Sequence, residues 1–473
     1  MRLFLIIFTI YFLSILKIFA DDYHNIQNFY GARATGMGGA YSAISDDTSG
    51  AFYNPAGLSF ISENHYSINV SSYRTNEQEF RDLFGPGQNY NRISRNYLPN
   101  FVGFSRKLGK WNLTVTMLNP VNESFDQTNR ITNPIYRRNL SQLDINYNRE
   151  SFQLLVGPSL AYQFTDRFSI GLTSYYLYDS NKVTYSQKEN QYNNNVTVVQ
   201  DLERRRTSGV LPILGIQIMP FDIISIGASI KQTYVTGGSI SSTTNVTSAG
   251  RTGGPSSLIS QGSENLVAFG ADGLPSIQGG MVKGIPQTYE ARGGIALFPT
   301  RRITITGDMI YTSGYKLFYN RNSLDLQSMN YTYRDPYMNQ YERNHTLNFA
   351  GGIEFYITDY IVIRLGGYSN KSNNRRVSWW QGALLSQLNN NQGPNSNLNI
   401  TQNIQYELPS YREIHANMKG YTFGLGFETS SATFSISIAH QAGNGIGFVD
   451  KYQLPTQAVL KDTMIFLSGG SKY

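Results

Sequence analysis

Residues 28 to 60, NFYGARATGMGGAYSAISDDTSGAFYNPAGLSF, concentrate the residue types that build shaped sites from backbone. Gly31, Gly36, Gly38, Gly39 and Gly50 permit tight turns and close packing. Asp46 and Asp47 precede Thr48 and Ser49, as in a turn or a helix cap, and Asn54-Pro55 marks a chain reversal before Ala56. The segment fits neither a strand nor a long amphipathic helix, so its backbone polar groups need partners from elsewhere in the fold. Two later stretches place apolar side chains in polar surroundings. Trp379 and Trp380 precede Gly-Ala-Leu-Leu-Ser-Gln-Leu, where Leu384, Leu385 and Leu388 fall on one face of a short helix. Leu258, Ile259, Leu266, Val267 and Phe269 lie in a Gly/Ser-rich stretch. Such patches suit a hydrophobic ligand or a protein partner. Packing of loops on one another is the other reading.

Catalytic chemistry finds no footing. The five histidines, at 24, 65, 345, 415 and 440, are scattered, there is no cysteine, and no G-x-S-x-G, H-E-x-x-H or P-loop pattern occurs. The acidic clusters do not follow the spacing of a calcium loop. No enzyme activity, metal or cofactor is therefore expected. The net charge of +7 falls to +5 without Arg2 and Lys17, and the basic residues are dispersed, which argues against a nucleic-acid partner. The densest basic run, Arg204 to Arg206, sits in a polar stretch and reads as a solvated loop, or as a contact for lipopolysaccharide phosphates.

The elements that would position these residues are strands. Aromatics make up 13% of the 473 residues, 34 of them Tyr, while charged residues are only 15%, a balance that favours strands and turns over helices. Segments of about ten residues alternate throughout: Trp111, Leu113, Val115 and Met117 against Asn112, Thr114 and Thr116; Phe434, Ile436 and Ile438 against Thr433, Ser435 and Ser437. Fourteen such strands are expected, at 64–72, 97–108, 110–119, 151–164, 166–180, 210–220, 222–236, 286–298, 301–313, 345–357, 360–369, 419–429, 431–441 and 461–468. Six tight turns, near 109, 165, 220, 299, 358 and 430, alternate with seven long Asn/Gly/Tyr-rich connections. A soluble β-protein rarely carries loops of roughly twenty residues or more, whereas short turns facing long loops, with an even strand count, describe a membrane barrel. Pro158, Pro212, Gly293-Gly294 and Gly351-Gly352 suggest bends or bulges in its wall, read as routine barrel geometry in preference to a kink that opens the wall. The first twenty residues, MRLFLIIFTIYFLSILKIFA, read as a secretory signal peptide cleaved near Ala20. With no cysteine, the exported chain is held by its own hydrogen-bond ladder.

The run GARATGMGGAYSAISDDTSGAFYNPAGL, above all Asn54-Pro55-Ala56 downstream of the acidic pair, resembles the long-chain fatty acid transporter (FadL/TodX) family of outer-membrane proteins. That resemblance implies an all-β transmembrane antiparallel barrel of about 14 strands, plugged by an N-terminal hatch. It also implies that hydrophobic molecules such as long-chain fatty acids pass inward by passive diffusion and leave through a gap beside a kinked strand. The expected organisation is a signal peptide (1–20), a hatch (21–62) centred on Asn54, Pro55 and Ala56 with Asp46 and Asp47 as its cap, and a barrel (63–473). Trp379, Trp380, Leu384, Leu385, Leu388, Leu266 and Phe269 are the expected substrate contacts. Outer-membrane lipid, lipopolysaccharide and, during biogenesis, the barrel-assembly machinery are the expected partners of a monomer. The alternative function is a surface or secretion-associated barrel whose loops bind a protein.

Overall fold

The computed structural model describes residues 24–249, 260–264, 289–319, 339–374, 414–447, 449 and 456–472. Two short helices, α1 (Ala32–Gly36) and α2 (Gly50–Tyr53), and a 3-10 turn (Pro55–Phe60) precede the strands. These are β1 (His65–Phe80), β2 (Tyr90–Leu108), β3 (Trp111–Leu118), β4 (Asn122–Thr132), β5 (Leu140–Thr165), β6 (Phe168–Gln191), β7 (Val196–Phe221), β8 (Ile224–Gln232), β9 (Tyr234–Ala249) and β10 (Ser260–Glu264). They continue with β11 (Tyr289–Thr300), β12 (Ile303–Thr312), β13 (Tyr315–Tyr319), β14 (Asn339–Arg343), β15 (Thr346–Tyr356), β16 (Ile361–Asn370), β17 (Ile414–Glu428), β18 (Ala432–Gly447) and β19 (Thr456–Lys472).

All pairings are antiparallel, and β19 returns to β1 from His65↔Lys472 to Phe80↔Ala458, so the sheet closes on itself. The pairs β3/β4 and β8/β9 are halves of single staves, β10 pairs alongside the upper part of β9, and β13 with β14 forms a separate hairpin beyond β12 and β15. The result is a closed barrel of fourteen staves.

Alternation in this barrel is inverted relative to a water-soluble protein. Leu113, Val115 and Met117 are each more than 40% exposed, while Asn112, Thr114 and Thr116 are buried. Ile436 and Ile438 likewise face outward, and Ser435 and Ser437 face the lumen. An outside made of Leu, Ile, Val and Phe is stable only against hydrocarbon, and closure leaves no backbone edge to satisfy there. Aromatic residues cluster at the tight-turn end, with Trp111 4.5 Å from Tyr162, Tyr162 4.7 Å from Phe164 and Phe164 5.5 Å from Phe168 between ring centroids. Such a girdle marks the membrane boundary.

The six tight turns fall where alternation places them, one with Gly109 at φ 63°, a left-handed value that favours glycine. The opposite side differs from expectation. Strands β5 and β7 run for 26 residues each, against the 9–11 or so that cross a bilayer, so much of what composition assigns to loops is wall continued into water. The run Arg204 to Arg206 is part of β7, paired with Ser241, Ile240 and Ser239, and not a loop. The flagged Pro and Gly positions divide. Register passes through Gly293-Gly294 and Gly351-Gly352 without a shift. The two prolines each interrupt one flanking ladder: Pro158 faces Val115 but skips its pair with β6, and Pro212 pairs with β6 but sits where the opposite partner changes from β8 to β9.

Candidate functional site

Residues 24 to 61 descend inside the barrel from the loop half toward the tight-turn end. His24 bridges to Ser372, and its Nε2 lies 2.8 Å from the Ala416 carbonyl. Burial pushes the His24 imidazole down to about 4, against the smaller upward pull of that carbonyl, so it docks in the neutral form. Lower down, Asn54 is fully buried and holds three backbone groups together. Its amide nitrogen donates to the carbonyls of Ser42 (2.7 Å) and Ile216 (2.9 Å), and its oxygen accepts from Ala56 N (3.2 Å), capping the 3-10 turn that Pro55 opens. The Ile216 bond ties this motif to the wall. Asp47 accepts from Ser49 N at 2.8 Å and so turns the chain into α2. Asp46 does no capping. Both its carboxylate oxygens accept from one Arg33 nitrogen, Nη1, at 2.6 and 2.7 Å.

The wall reaches in to meet the segment. Asp308 of β12 accepts from Tyr41 N, Ser42 N and Ser42 Oγ at 3.0, 2.9 and 2.6 Å. Glu354 of β15 bridges Arg33 (2.7 Å) and the fully buried Arg364 of β16 (2.7 Å), which also bonds Glu428. Burial opposes the Arg33 charge, but Asp46 and Glu354 outweigh it and raise its pKa. Elsewhere the wall thins to admit backbone. A Cβ on Gly171 would overlap the Pro55 carbonyl, one on Gly215 the Asn54 side chain, and one on Gly227 the Ser42 carbonyl.

The wall is interrupted on one side. The β3/β4 stave breaks at Asn119–Val121, β4 regains only one ladder pair with β2 (Ser94↔Phe125), and the β1–β2 register shifts twice alongside. Side chains replace the missing ladder: Asn96 donates to the Asn122 carbonyl, Gln127 to the Ile93 carbonyl (2.9 Å), and Ser94 Oγ accepts from Ser124 N (3.1 Å). Asn28 of the inner segment covers the gap from within. It donates to the Asn119 carbonyl at 3.2 Å and accepts from Asn100 at 3.0 Å. A cavity of about 20 Å³, room for one water, remains between Asn28, Arg74, Asn96, Asn100, Asn119 and Asn122. Leu118 lies eight residues above its turn, so at roughly 3.3 Å per residue and a 40° tilt the gap opens near the upper margin of the apolar band.

Directly above the gap, on the same staves and on the β1–β2 connection that carries Phe84, side chains form an apolar cluster that includes Phe80, Phe84, Tyr90, Phe125, Leu143 and Tyr147. Lumen-facing positions along β2 therefore pass from Tyr90 and Arg92 in the cluster through Ser94 to Asn96 at the gap.

Among the sequence-expected residues, Asn54, Pro55 and Ala56 lie together at the wall, Asp47 sits one turn away, and Asp46 lies at the Arg33 ion pair. Trp379, Trp380, Leu384, Leu385, Leu388, Leu266 and Phe269 lie outside the described residues. Sequence reasoning missed Asp308, Glu354 and Arg364, whose signal was a charge inside a membrane-crossing strand. It also missed Asn28 and Asn100, which carry no distinguishing pattern.

These features define a fourteen-stave barrel with an internal N-terminal segment. No family model and no curated protein matches the chain. Solved structures do. The chain is similar to the toluene transporter TodX of P. putida (TM-score 0.58, 12% identity, 94% of this chain and 99% of that one). It is also similar to a Pseudomonas aeruginosa FadL homologue (TM-score 0.54, 12% identity, 94% and 98%) and to the CymD monoaromatic hydrocarbon channel (TM-score 0.53, 11% identity, 95% and 98%). The chain has the FadL/TodX barrel fold.

Proposed function

We propose that this protein resides in the outer membrane and admits hydrophobic small molecules, long-chain fatty acids among them, by passive diffusion. Residues 24–61 act as the hatch, and the interruption at Asn119–Val121 is the exit toward lipid. One observation carries the reading: an apolar cluster stands directly above a place where β4 makes a single ladder pair with β2, side chains bridge the rest, and Asn28 covers the gap from within. A continuous β-ladder would cost several hydrogen bonds to part, whereas this gap opens when a few amide contacts move. The inverted barrel exterior supports the membrane location, and the toluene and hydrocarbon transport named for the similar barrels supports the hydrophobic cargo. The N-terminal signal peptide and the barrel-assembly partner belong to the same reading. The test is uptake of radiolabelled oleate and of toluene into liposomes that hold the purified protein. Faster entry of either than into protein-free liposomes is the expected result. Equal entry of both would refute a transport role.

A further inference from the structure

The apolar cluster above the gap contains one group that an apolar path does not need. Arg92 of β2 is only 3% exposed, its Nη2 has no hydrogen-bond partner among the described residues, and its Nε makes only a long 3.4 Å bond to the Tyr90 hydroxyl. Its guanidinium instead lies among rings, with Cζ 3.9 Å from the Tyr147 centroid and 5.2 Å from those of Tyr90 and Phe80. The other arginines inside the barrel differ. Arg33, Arg74, Arg292 and Arg364 each meet at least one carboxylate, at Glu354, Asp462, Glu290 and Glu354 respectively. Arg92 has no such partner among the described residues. Ring faces offset part of the cost of burying a cation but supply no acceptor for its N–H groups.

We propose, resting on the transport reading above, that Arg92 is the anion-recognising group of this cluster and that its ligand is an aromatic monocarboxylate. One uncompensated positive charge matches one carboxylate, which would accept from the orphaned Nη2 edge. An arene attached to that carboxylate would extend the existing ring network, in which Phe80 and Tyr90 are 5.9 Å apart, Phe84 and Tyr90 6.4 Å, and Phe125 and Tyr147 6.1 Å. Neutral hydrocarbons would leave Arg92 unpaired. Recognition at Arg92 therefore selects the charged member of any acid and alcohol pair of equal shape.

The experiment is equilibrium binding of radiolabelled 4-phenylbutyrate and its neutral counterpart 4-phenylbutanol to the full-length protein in lipid nanodiscs, with empty nanodiscs subtracted. Variants are Arg92→Met, which keeps the packing stem, and Arg92→Lys, which keeps the charge. Barrel folding of each is checked by heat-dependent gel mobility. Wild-type protein is expected to favour the acid by at least tenfold. Arg92→Met should abolish that preference by weakening the acid alone, and Arg92→Lys should retain part of it. If Arg92→Met fails to fold, loss of preference in wild-type protein on titrating chloride to molar concentration, with the alcohol unaffected, is the result required. Absence of a preference in wild-type protein, or equal loss of both ligands in Arg92→Met, overturns the proposal. Binding of the alcohol without preference would do so while leaving the transport reading intact. Failure of both ligands to bind, together with absence of oleate and toluene uptake, would remove both.

Discussion

Replacing Asn54 by Ala removes three hydrogen bonds at once from the point where the inner segment meets the wall. The Ser42 carbonyl and Ala56 N–H lie in a fully buried environment and lose their side-chain partner, whereas the Ile216 carbonyl belongs to a strand that stays paired. A buried polar group left unsatisfied costs about 1–3 kcal/mol, and a lost cap costs about 1 kcal/mol. Taken together, docking of the segment should weaken by roughly 3 kcal/mol, or about a hundredfold in its opening equilibrium. Hydrogen exchange read by mass spectrometry over residues 30–58 reports that equilibrium directly. Protection there should fall about a hundredfold while the strands and heat-dependent gel mobility stay as in wild type. A change of less than threefold in an intact barrel would show that Asn54 does not hold the segment.

Three further outcomes follow from the same contacts. Gly171→Ala and Gly215→Ala press a methyl group on the Pro55 backbone and on Asn54, so each should loosen the segment by about 1–3 kcal/mol, whereas Gly293→Ala, with nothing within 4 Å, should leave its exchange unchanged. Glu354→Gln deprives Arg33 and the buried Arg364 of a shared carboxylate; tryptic cleavage after Arg33, blocked in wild type, should then appear, since breaking a buried pair costs about 3–5 kcal/mol. The His24 ring is neutral when docked, with its pKa lowered from 6.5 to about 4. An undocked His24 therefore takes its proton first as pH falls, so its contribution to docking is full above 6.5 and fades between 6.5 and 4. Intrinsic-rate-corrected exchange of residues 24–30 should rise from pH 7 to pH 4.5 in wild type and much less in His24→Asn.

The barrel was legible because a membrane reverses the usual burial rule without erasing alternation. Phe434, Ile436 and Ile438 against Ser435 and Ser437 announce a two-faced strand whichever face is wet. The third strand's expected end at 119 coincides with the break in the wall, since Asn119 and Pro120 end the alternation there. Strand continuation into water was not legible: in stretches such as Asp144 to Arg149 only Ile145 and Tyr147 are apolar, set among Asp144, Asn146, Asn148 and Arg149, so the segment composes like a loop, and only the partner strands reveal the ladder. Glycine was misread for a related reason. Gly294 leaves room for the Asp308 carboxylate that holds Ser42, and Gly352 leaves room for Met37 of a segment far away in sequence; nothing local encodes either neighbour. Asn54-Pro55 could be read because a cap and a reversal are local chemistry. Asn28 could not, because its role exists only once Asn100 and Asn119 are brought beside it.

The claim that the gap at Asn119–Val121 is an exit guarded by Asn28 is tested most directly by locking it. The chain contains no cysteine, so an Asn28→Cys, Asn100→Cys double variant carries one possible cross-link, between side chains whose polar atoms lie 3.0 Å apart. Uptake of the cargo identified for the wild-type protein is measured in reconstituted liposomes with the pair oxidised and then reduced. Uptake should be lost on oxidation and restored by reductant, with each single variant unaffected by either treatment. Undiminished uptake through a fully cross-linked protein would contradict the account.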